Sequence, residues 1–325
     1  MSHAQSIRVQ RELRVGRHQA GRRLDQTLAE LMPEFSRRRV QHWIEAGRVL
    51  VDGAQRRPRD RVWGGEAVRL DAVLEPDLSD CPQDIPLRAV FEDAHLLVIH
   101  KPAGLVVHPA AGNRDGTLLN ALLHHAPGLR AVPRAGIVHR LDKDTSGLLV
   151  VAKSLEAHQA LTVQLRERRV HREYRALVVG ELVSGGVVDL PIGRHPSHRT
   201  RMAVLPGGRP ALTRYRVLER LPGHSLLAVE LDTGRTHQIR VHLAHVRHPL
   251  VGDPLYGLGP RPPRGASPAL EDALRRFPRQ ALHAIRLGLV HPTTGRSLEW
   301  TLPMEPDLDA LLAAFRDGEG AGPWS

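Results

Sequence analysis

The sequence predicts an α+β protein: a mixed, mostly antiparallel β-sheet with flanking helices and loops, preceded by a small α/β module. Three observations lead there. Strand-like apolar runs come in series with helical patterns inserted between them, which suits a mixed sheet covered by helices. A leading stretch of about 60 residues carries two short helical patterns and then a hairpin pattern. Between the two parts, Glu75-Pro76-Asp77 through Pro86 holds three prolines and several acids, the composition of a linker.

Taken in order, residues 1–16 are polar and Arg-rich without a usable period, and are expected to form a flexible arm. The module spans 17–75. In it Leu24, Leu28 and Leu31 recur at helical spacing, one apolar stripe that Pro33 ends. Ser36 offers an N-cap for a second helix, with Val40, Trp43 and Ile44 facing inward and Gly47 as its stop. Val49 and Val51 alternate into an Asp52-Gly53 turn. Val62 then leads through Gly64-Gly65 to Val68 and Leu70, so the module closes as a β-hairpin.

The linker covers 76–86 and the larger domain 87–308. Strands are expected at Leu96–Ile99, Leu148–Val151, Tyr174–Val179 and Leu226–Leu231, and helices over Leu118–Leu123, Leu155–Leu165 and Gln238–Val246. Gly193–Pro210 and Gly257–Pro268 are expected to be irregular connections, and 309–325 a C-terminal tail.

The formal charge is +11 and the pI near 11.0, an excess that favours a polyanionic partner through release of phosphate counterions. A solvated basic surface would account for the charge alone. Arginine outnumbers lysine 43 to 3, and Lys101, Lys143 and Lys153 all fall within or beside the polar stretches discussed below. Either chance put them there, or those positions call for a compact ammonium in place of a planar fork. No run approaches the roughly 18 apolar residues of a membrane span, and Met1-Ser2-His3-Ala4-Gln5 does not start a signal peptide. A cytoplasmic chain with no membrane partner is expected. The single cysteine, Cys81, allows neither an internal disulfide nor a multi-cysteine zinc site.

Arg37, Arg38 and Arg39 begin the second helix, where the macrodipole opposes cations by roughly a few tenths of a kcal/mol each, so stability is not expected to have placed them there. They read as a solvated helix end or, with Arg48, Arg56, Arg57, Arg59 and Arg61 on so small a module, as a phosphate-contacting face. Through Arg23-Leu24-Asp25-Gln26, Ser36-Arg37-Arg38-Arg39-Val40, Ile44, Gly47-Arg48-Val49 and Val51-Asp52-Gly53, residues 17–71 resemble an S4-type RNA-binding domain. That resemblance implies RNA contacts by Arg37, Arg38, Arg39 and Arg48.

Three stretches of the larger domain are richer in charge, Gly and His than their neighbours require: Lys101–Pro109, Gly136–Lys153 and Thr233–Tyr256. In the middle one a polar loop, His139-Arg140-Leu141-Asp142-Lys143-Asp144-Thr145-Ser146-Gly147, feeds straight into a hydrophobic strand, a common place for reacting groups. Asp142 or Asp144 could equally cap backbone amides of a turn. His139, Asp142 and Ser146 supply the residue types of a hydrolase triad, but they crowd into eight consecutive residues without a Gly-x-Ser-x-Gly elbow. His237, His242, His245 and His248 lack a His-Glu-x-x-His pattern and companion cysteines, so hydrogen-bonded or solvated imidazoles are expected there and no metal. Neither Gly-rich phosphate motif appears at a strand-to-helix turn, so no nucleotide cofactor is implied.

With His139-Arg140-Leu141-Asp142-Lys143-Asp144-Thr145-Ser146-Gly147-Leu148 as its most specific piece, the chain resembles the large-subunit ribosomal RNA pseudouridine synthases over nearly its whole length. Arg172-Glu173-Tyr174, Arg194-His195-Pro196, Met202-Ala203-Val204, Thr233-Gly234-Arg235-Thr236-His237-Gln238-Ile239-Arg240-Val241-His242, Gly252-Asp253-Pro254-Leu255-Tyr256-Gly257 and Arg279-Gln280-Ala281-Leu282-His283-Ala284 support it. The resemblance implies a pseudouridine synthase fold, no organic cofactor or metal, and a ribosomal RNA or preribosomal 50S particle as partner of a monomer. Its implied targets are uridines of the large-subunit stem-loop that faces the decoding site. It makes Asp142 the catalytic aspartate, sets Tyr174 against the target base and pairs Arg240 with the Asp142 carboxylate. Such an aspartate can attack the sugar or the base, or assist glycal formation. Arg140 would occupy the place a flipped uridine leaves, with a salt bridge to a neighbouring acid as its other reading. Ile239 would wall the base pocket, or simply pack in the core. Before Lys101-Pro102 the family commonly has asparagine where this chain has His100, which puts the hydrogen bonding of that loop in question.

Overall fold

The computed structural model describes residues 7–33, 35, 37–74, 81–110, 112–198 and 200–317, and of these the side chains of residues 7, 38, 73 and 74 are left out. The chain divides into two compact units, Met1–Asp77 and Leu78–Ser325. The N-cap expected at Ser36, the Arg38 side chain, and residues 75–80 of the expected linker region lie outside the described residues.

The first unit contains β1 (Ile7–Arg14), α1 (Leu24–Leu31), α2 (Arg37–Glu45), β2 (Val49–Val51), β3 (Ala54–Gln55) and β4 (Ala67–Leu74). The strands form one antiparallel sheet in the order β1-β4-β2-β3. Leu24 and Leu28 of α1 and Val40, Trp43 and Ile44 of α2 pack on Val49, Val51, Val68 and Leu70, as the periodicity requires. The hairpin is thus one half of a larger sheet. Its remaining edge comes from residues expected to be a flexible arm: over 7–14 the chain is strand, while 1–6 lie outside the described residues. Val9 and Val15 are buried there, but Arg11 sits between them and interrupts the alternation that would have marked a strand.

Arg37 also has a structural reason for its place, contrary to the expectation from the helix dipole. Its Nη2 and Nε donate to Oδ2 of Asp25 at 2.8 and 3.1 Å, Arg23 donates to both oxygens of the same carboxylate, and Gln41 adds a further bond. Asp25 is fully buried. Burial alone would raise its pKa, yet the bonds from Arg23, Arg37 and Gln41 hold it below the ordinary value. Neutralising a buried carboxylate outweighs the small penalty of a cation in the first turn.

The second unit contains β5 (Arg88–Glu92), β6 (Leu96–Lys101), α3 (Leu118–His125), β7 (Ser146–Ala152), α4 (Leu155–Arg166), β8 (His171–Val179), β9 (Gly186–Asp189), β10 (Ile192–Arg194), β11 (Met202–Val204), β12 (Leu212–Leu221), β13 (His224–Leu231), α5 (Gln238–His245), α6 (Pro268–Arg276), β14 (Leu282–Val290), β15 (Ser297–Thr301) and α7 (Pro306–Asp317). Nine strands form a sheet in the order β5-β6-β7-β14-β8-β13-β12-β9, with β15 added beside β14. Among the described strands only β7 and β14 run parallel, so the sheet is mixed and mostly antiparallel as expected.

The central strands are buried on both faces, which is why they read as continuous apolar runs. Leu97, Ile99, Leu149, Val151 and Val178 share one core with Leu118 and Leu122 of α3 and Ile239 and Leu243 of α5. Leu96, Val98, Leu148 and Val150 face the other way, onto Ala157 and Leu161 of α4. Two expectations fail at the edges. Gly193–Pro210 is not wholly irregular, since β10 and β11 pair within it. The expected tail is α7 as far as Asp317, with Leu308, Leu311, Leu312 and Phe315 buried against α6, while 318–325 lie outside the described residues.

Candidate active site

The loop carrying Asp142 enters β7 at the centre of the sheet, and that strand is buried throughout. Its entry needs Gly147: φ there is 119°, and a Cβ would lie 2.2 Å from the carbonyl oxygen of Ala284 on the parallel neighbour β14. Several groups fasten the loop. The fully buried Lys101 donates from Nζ to the carbonyls of Pro102, Leu105 and Lys143 at 2.7, 3.0 and 2.9 Å. Arg279, itself bidentate on Asp307, donates to the carbonyl of Asp144 at 3.3 Å, and Gln280 donates to Oγ1 of Thr145 at 3.1 Å. Lys101 therefore occupies a place only a compact three-donor head could fill. Leu141 adds an apolar anchor in the core beside Tyr174 and Ile239.

The turn is closed by its backbone, with the Thr145 N–H donating to the Asp142 carbonyl at 3.1 Å. The Asp142 carboxylate caps no backbone amide among the described residues. Its Oδ2 accepts from Nη1 of Arg240 at 3.0 Å, with 14 % of the Asp142 side chain exposed against 5 % of Arg240. Arg240 lies in the first turn of α5, and its direction is set from behind. Nε and Nη2 donate to the two oxygens of Asp253 at 2.8 and 2.9 Å. Asp253 also accepts the backbone N–H groups of Leu255 and Tyr256 at 2.9 and 3.0 Å.

Burial works against both charges of this pair and is overcome. It would lower the Arg240 pKa, but hydrogen bonds and charge from Asp253, and the charge of Asp142, hold it above the usual guanidinium value. It would raise that of Asp253, which Arg240 and the two amides hold below the carboxylate norm. The result is a permanently charged guanidinium with one N–H pair aimed at Asp142.

An open cleft of about 460 Å³ lies over this pair, lined by Arg140, Asp142, Tyr174, Ile239 and Arg240 among others. The structure thus brings together all five residues singled out for the larger domain. Tyr174 lies on β8 opposite Val229 and Ala284, and its phenol is pushed up chiefly by burial, with Arg172 pulling it down and Asp142 raising it. Ile239 satisfies both of its readings, packing in the core and lining the cleft. Arg140 is exposed and has no acidic partner among the described residues, which removes its salt-bridge reading.

Sequence reasoning missed Asp253 as the anchor of Arg240, and His237 and Tyr256 as their neighbours. His237 opens α5 in a left-handed conformation (φ 56°), and its Nδ1 shares a 2.8 Å hydrogen bond with the Tyr256 hydroxyl. The Tyr256 ring lies 5.2 Å from the Arg240 guanidinium carbon, a cation–π contact. Gln238 ties the preceding loop by accepting from Thr233 Oγ1 and Arg235 N at 2.8 and 3.0 Å and donating to Leu212 O. All lie in the polar stretch Thr233–Tyr256 and in the family-like segments quoted there, which marked the region without assigning these residues a role.

Of the histidines of that stretch, His242 bonds Thr213 Oγ1 and Leu190 O, His248 bonds Val179 O, and His245 is exposed. Among the described residues His100, His283 and Glu305 bring ligand-type atoms within 4.8 Å of one another, away from the cleft. His283 already bonds Ser146 Oγ at 2.9 Å and Pro303 O at 3.0 Å, while His100 bonds Glu305, so a metal there would displace existing partners. The histidine that replaces the usual asparagine is thus tied to the start of α7. In the first unit, Arg48 is exposed and Arg37 serves Asp25, as described.

The profile of the RNA pseudouridylate synthase family matches residues 95–245, and that of the S4 domain residues 22–68. The chain is 57 % identical over 298 residues to the ribosomal large subunit pseudouridine synthase D of Xanthomonas campestris pv. campestris, covering 92 % of this chain and 90 % of that one. It is 53 % identical over 310 residues to the protein of that name from Escherichia coli K12, covering 95 % of each. Among solved structures, human RNA pseudouridylate synthase domain containing 4 superposes with a TM-score of 0.55 at 27 % identity, over 70 % of this chain and 93 % of that one. Human RNA pseudouridylate synthase domain containing 1 gives 0.53 at 30 % identity, over 74 % and 91 %.

Proposed function

The chain belongs to the RNA pseudouridylate synthase family, and we propose that it isomerises uridines of large-subunit ribosomal RNA with Asp142 as the catalytic carboxylate. The observation that carries the assignment of the carboxylate is the Asp253–Arg240–Asp142 chain, in which a buried, directed guanidinium faces a carboxylate that caps no backbone amide among the described residues. The choice of RNA follows the relatives named for the large ribosomal subunit. By the same resemblance the target uridines belong to the stem-loop that faces the decoding site, in free RNA or in a 50S precursor, and a monomer acts on them.

The reaction breaks the N1–C1′ bond of uridine and forms C5–C1′, with the C5 proton released and N1 protonated. Nothing is oxidised or transferred away, so the chemistry calls for no second substrate. A uridine leaves its stack to enter the cleft, at a cost of about a few kcal/mol. Arg140, exposed at the rim and without an acidic partner among the described residues, takes the vacated place. Tyr174 offers the detached base a flat face against which to turn. Arg240 fixes Oδ2 of Asp142 by its hydrogen bond, which leaves Oδ1 of the carboxylate for the sugar or base. Work on ribosomal RNA sets the protein in the cytoplasm, and among the described residues no helix is long and apolar enough to cross a membrane.

Asp142→Asn preserves shape and one acceptor oxygen. It is expected to bind the RNA within about twofold of wild type and to lower pseudouridine formation by about a thousandfold or more. Carbodiimide-primer extension on large-subunit RNA reads the product, and full activity in the variant would sink the assignment.

A further inference from the structure

A second cleft, of about 700 Å³, adjoins the first and shares Arg140, Arg172 and Gly234 with it. Three arginines line it, Arg134, Arg140 and Arg172, and no carboxylate does among the described residues. Neither Arg134 nor Arg140 has an acidic partner there. The wall also holds buried polar atoms without partners: Nε of Arg172, Nδ1 of His139 and Nε2 of His108. Buried donors left unsatisfied are rare and call for an explanation. Arg172 is only 9 % exposed, and its Nη2 reaches Leu231 O at 3.3 Å while Nε finds no acceptor. His139 has a fixed tautomer, since Nε2 accepts the Val150 N–H at 3.1 Å and its proton therefore resides on Nδ1. Burial, with the nearby arginines, lowers His108 to about 4 and His139 to about 3, so both rings are neutral near pH 7.

The backbone that presents Arg134 is strained. Arg134, Ala135 and Gly136 follow one another in the left-handed region, at φ 56°, 50° and 78°. Residues other than glycine enter that region at a cost and seldom in succession. The third position admits only glycine, because a Cβ would lie 1.9 Å from the carbonyl oxygen of Ala152. Such strain persists where the surroundings enforce it, and here its outcome is a guanidinium at the cleft.

A wall of donors and cations suits a ligand made of acceptors and negative charge, and the shared residues place that ligand next to whatever fills the first cleft. We propose that the second cleft seats the nucleotide adjoining the target uridine, with Arg134 and Arg172 binding its phosphodiester. This rests on the isomerase reading of the first cleft. A flanking nucleotide held there would keep the flipped strand in register while the base turns.

The test compares wild type, Arg134→Gly and Arg134→Lys, each with Asp142→Asn to prevent turnover, in binding a large-subunit stem-loop RNA over a series of salt concentrations. Arg134→Gly relieves the strain and is expected to melt no lower than its parent, yet to bind about tenfold more weakly, with a salt slope smaller by about one. Arg134→Lys keeps most of the affinity. A single uncharged methylphosphonate beside the target uridine should weaken the parent by the same factor and leave Arg134→Gly unchanged. Equal affinity and slope for parent and Arg134→Gly overturn the proposal, as does an equal methylphosphonate loss in both. Saturable binding of inorganic phosphate that Arg134→Gly abolishes, without change in RNA affinity, assigns the cleft to a free anion and also overturns it. Should the chain with Asp142 intact form no pseudouridine in this RNA, the isomerase reading fails by itself, and the binding comparison still decides the cleft.

Discussion

A carboxylate in a turn acquires chemistry from what faces it, and at Asp142 the facing cation is itself held by Asp253. If that hold matters, Asp253→Asn should leave RNA affinity within about twofold and lower single-turnover pseudouridine formation by about a hundredfold, the usual scale for a misdirected group. An equal fall in affinity and rate would instead mean a collapsed site. That Asp142, Tyr174 and Arg240 would meet at one cleft was legible through the motifs around them. Asp253 stood within a quoted motif without a role, because the partner of a carboxylate is decided by three-dimensional approach and leaves no periodic trace. Arg37 shows the same limit from the other side: its basic run suggested phosphate, and nothing in the sequence signalled that Asp25, 12 residues earlier, also holds its guanidinium.

Among the elements, the long apolar strands and helices were readable because each buries one repeating face or both. The edges were not. β1 hides its alternation behind Arg11, and α7 was passed over as a tail although Leu308, Leu311, Leu312 and Phe315 keep helical spacing. Phe315 is fully buried, close to His224 at 4.7 Å between ring centroids. Phe315→Ala is expected to cost about 3–5 kcal/mol. Chemical denaturation of the full chain checks it, and a loss under about 1 kcal/mol would mean that α7 contributes little to the second unit.

For the molecule as a whole, charge +11 and buried neutral histidines combine into acid sensitivity. Burial holds His283 at about 4, with Glu305 pulling it up and His100 pushing it down, against an ordinary value of 6.5. A depressed folded value means that the unfolded chain binds the proton first. The stability tied to His283, about 3 kcal/mol, is therefore complete above pH 6.5 and drains away as the pH falls toward 4. Tm should drop over that window and drop less in His283→Gln, whereas parallel curves would clear this histidine. Net charge was legible at once, but which histidines are buried was not, since a sequence with 20 of them marks none as interior. The order of the sheet has a further consequence. β14 sits between β7 and β8, and Ser146 meets His283 across 137 residues of chain. During synthesis β7 and β8 emerge long before the strand that joins them. The nascent polypeptide must therefore carry two unpaired strand edges until Leu282–Val290 has left the ribosome, which makes this interval the time of greatest exposure to aggregation and of greatest need for a chaperone.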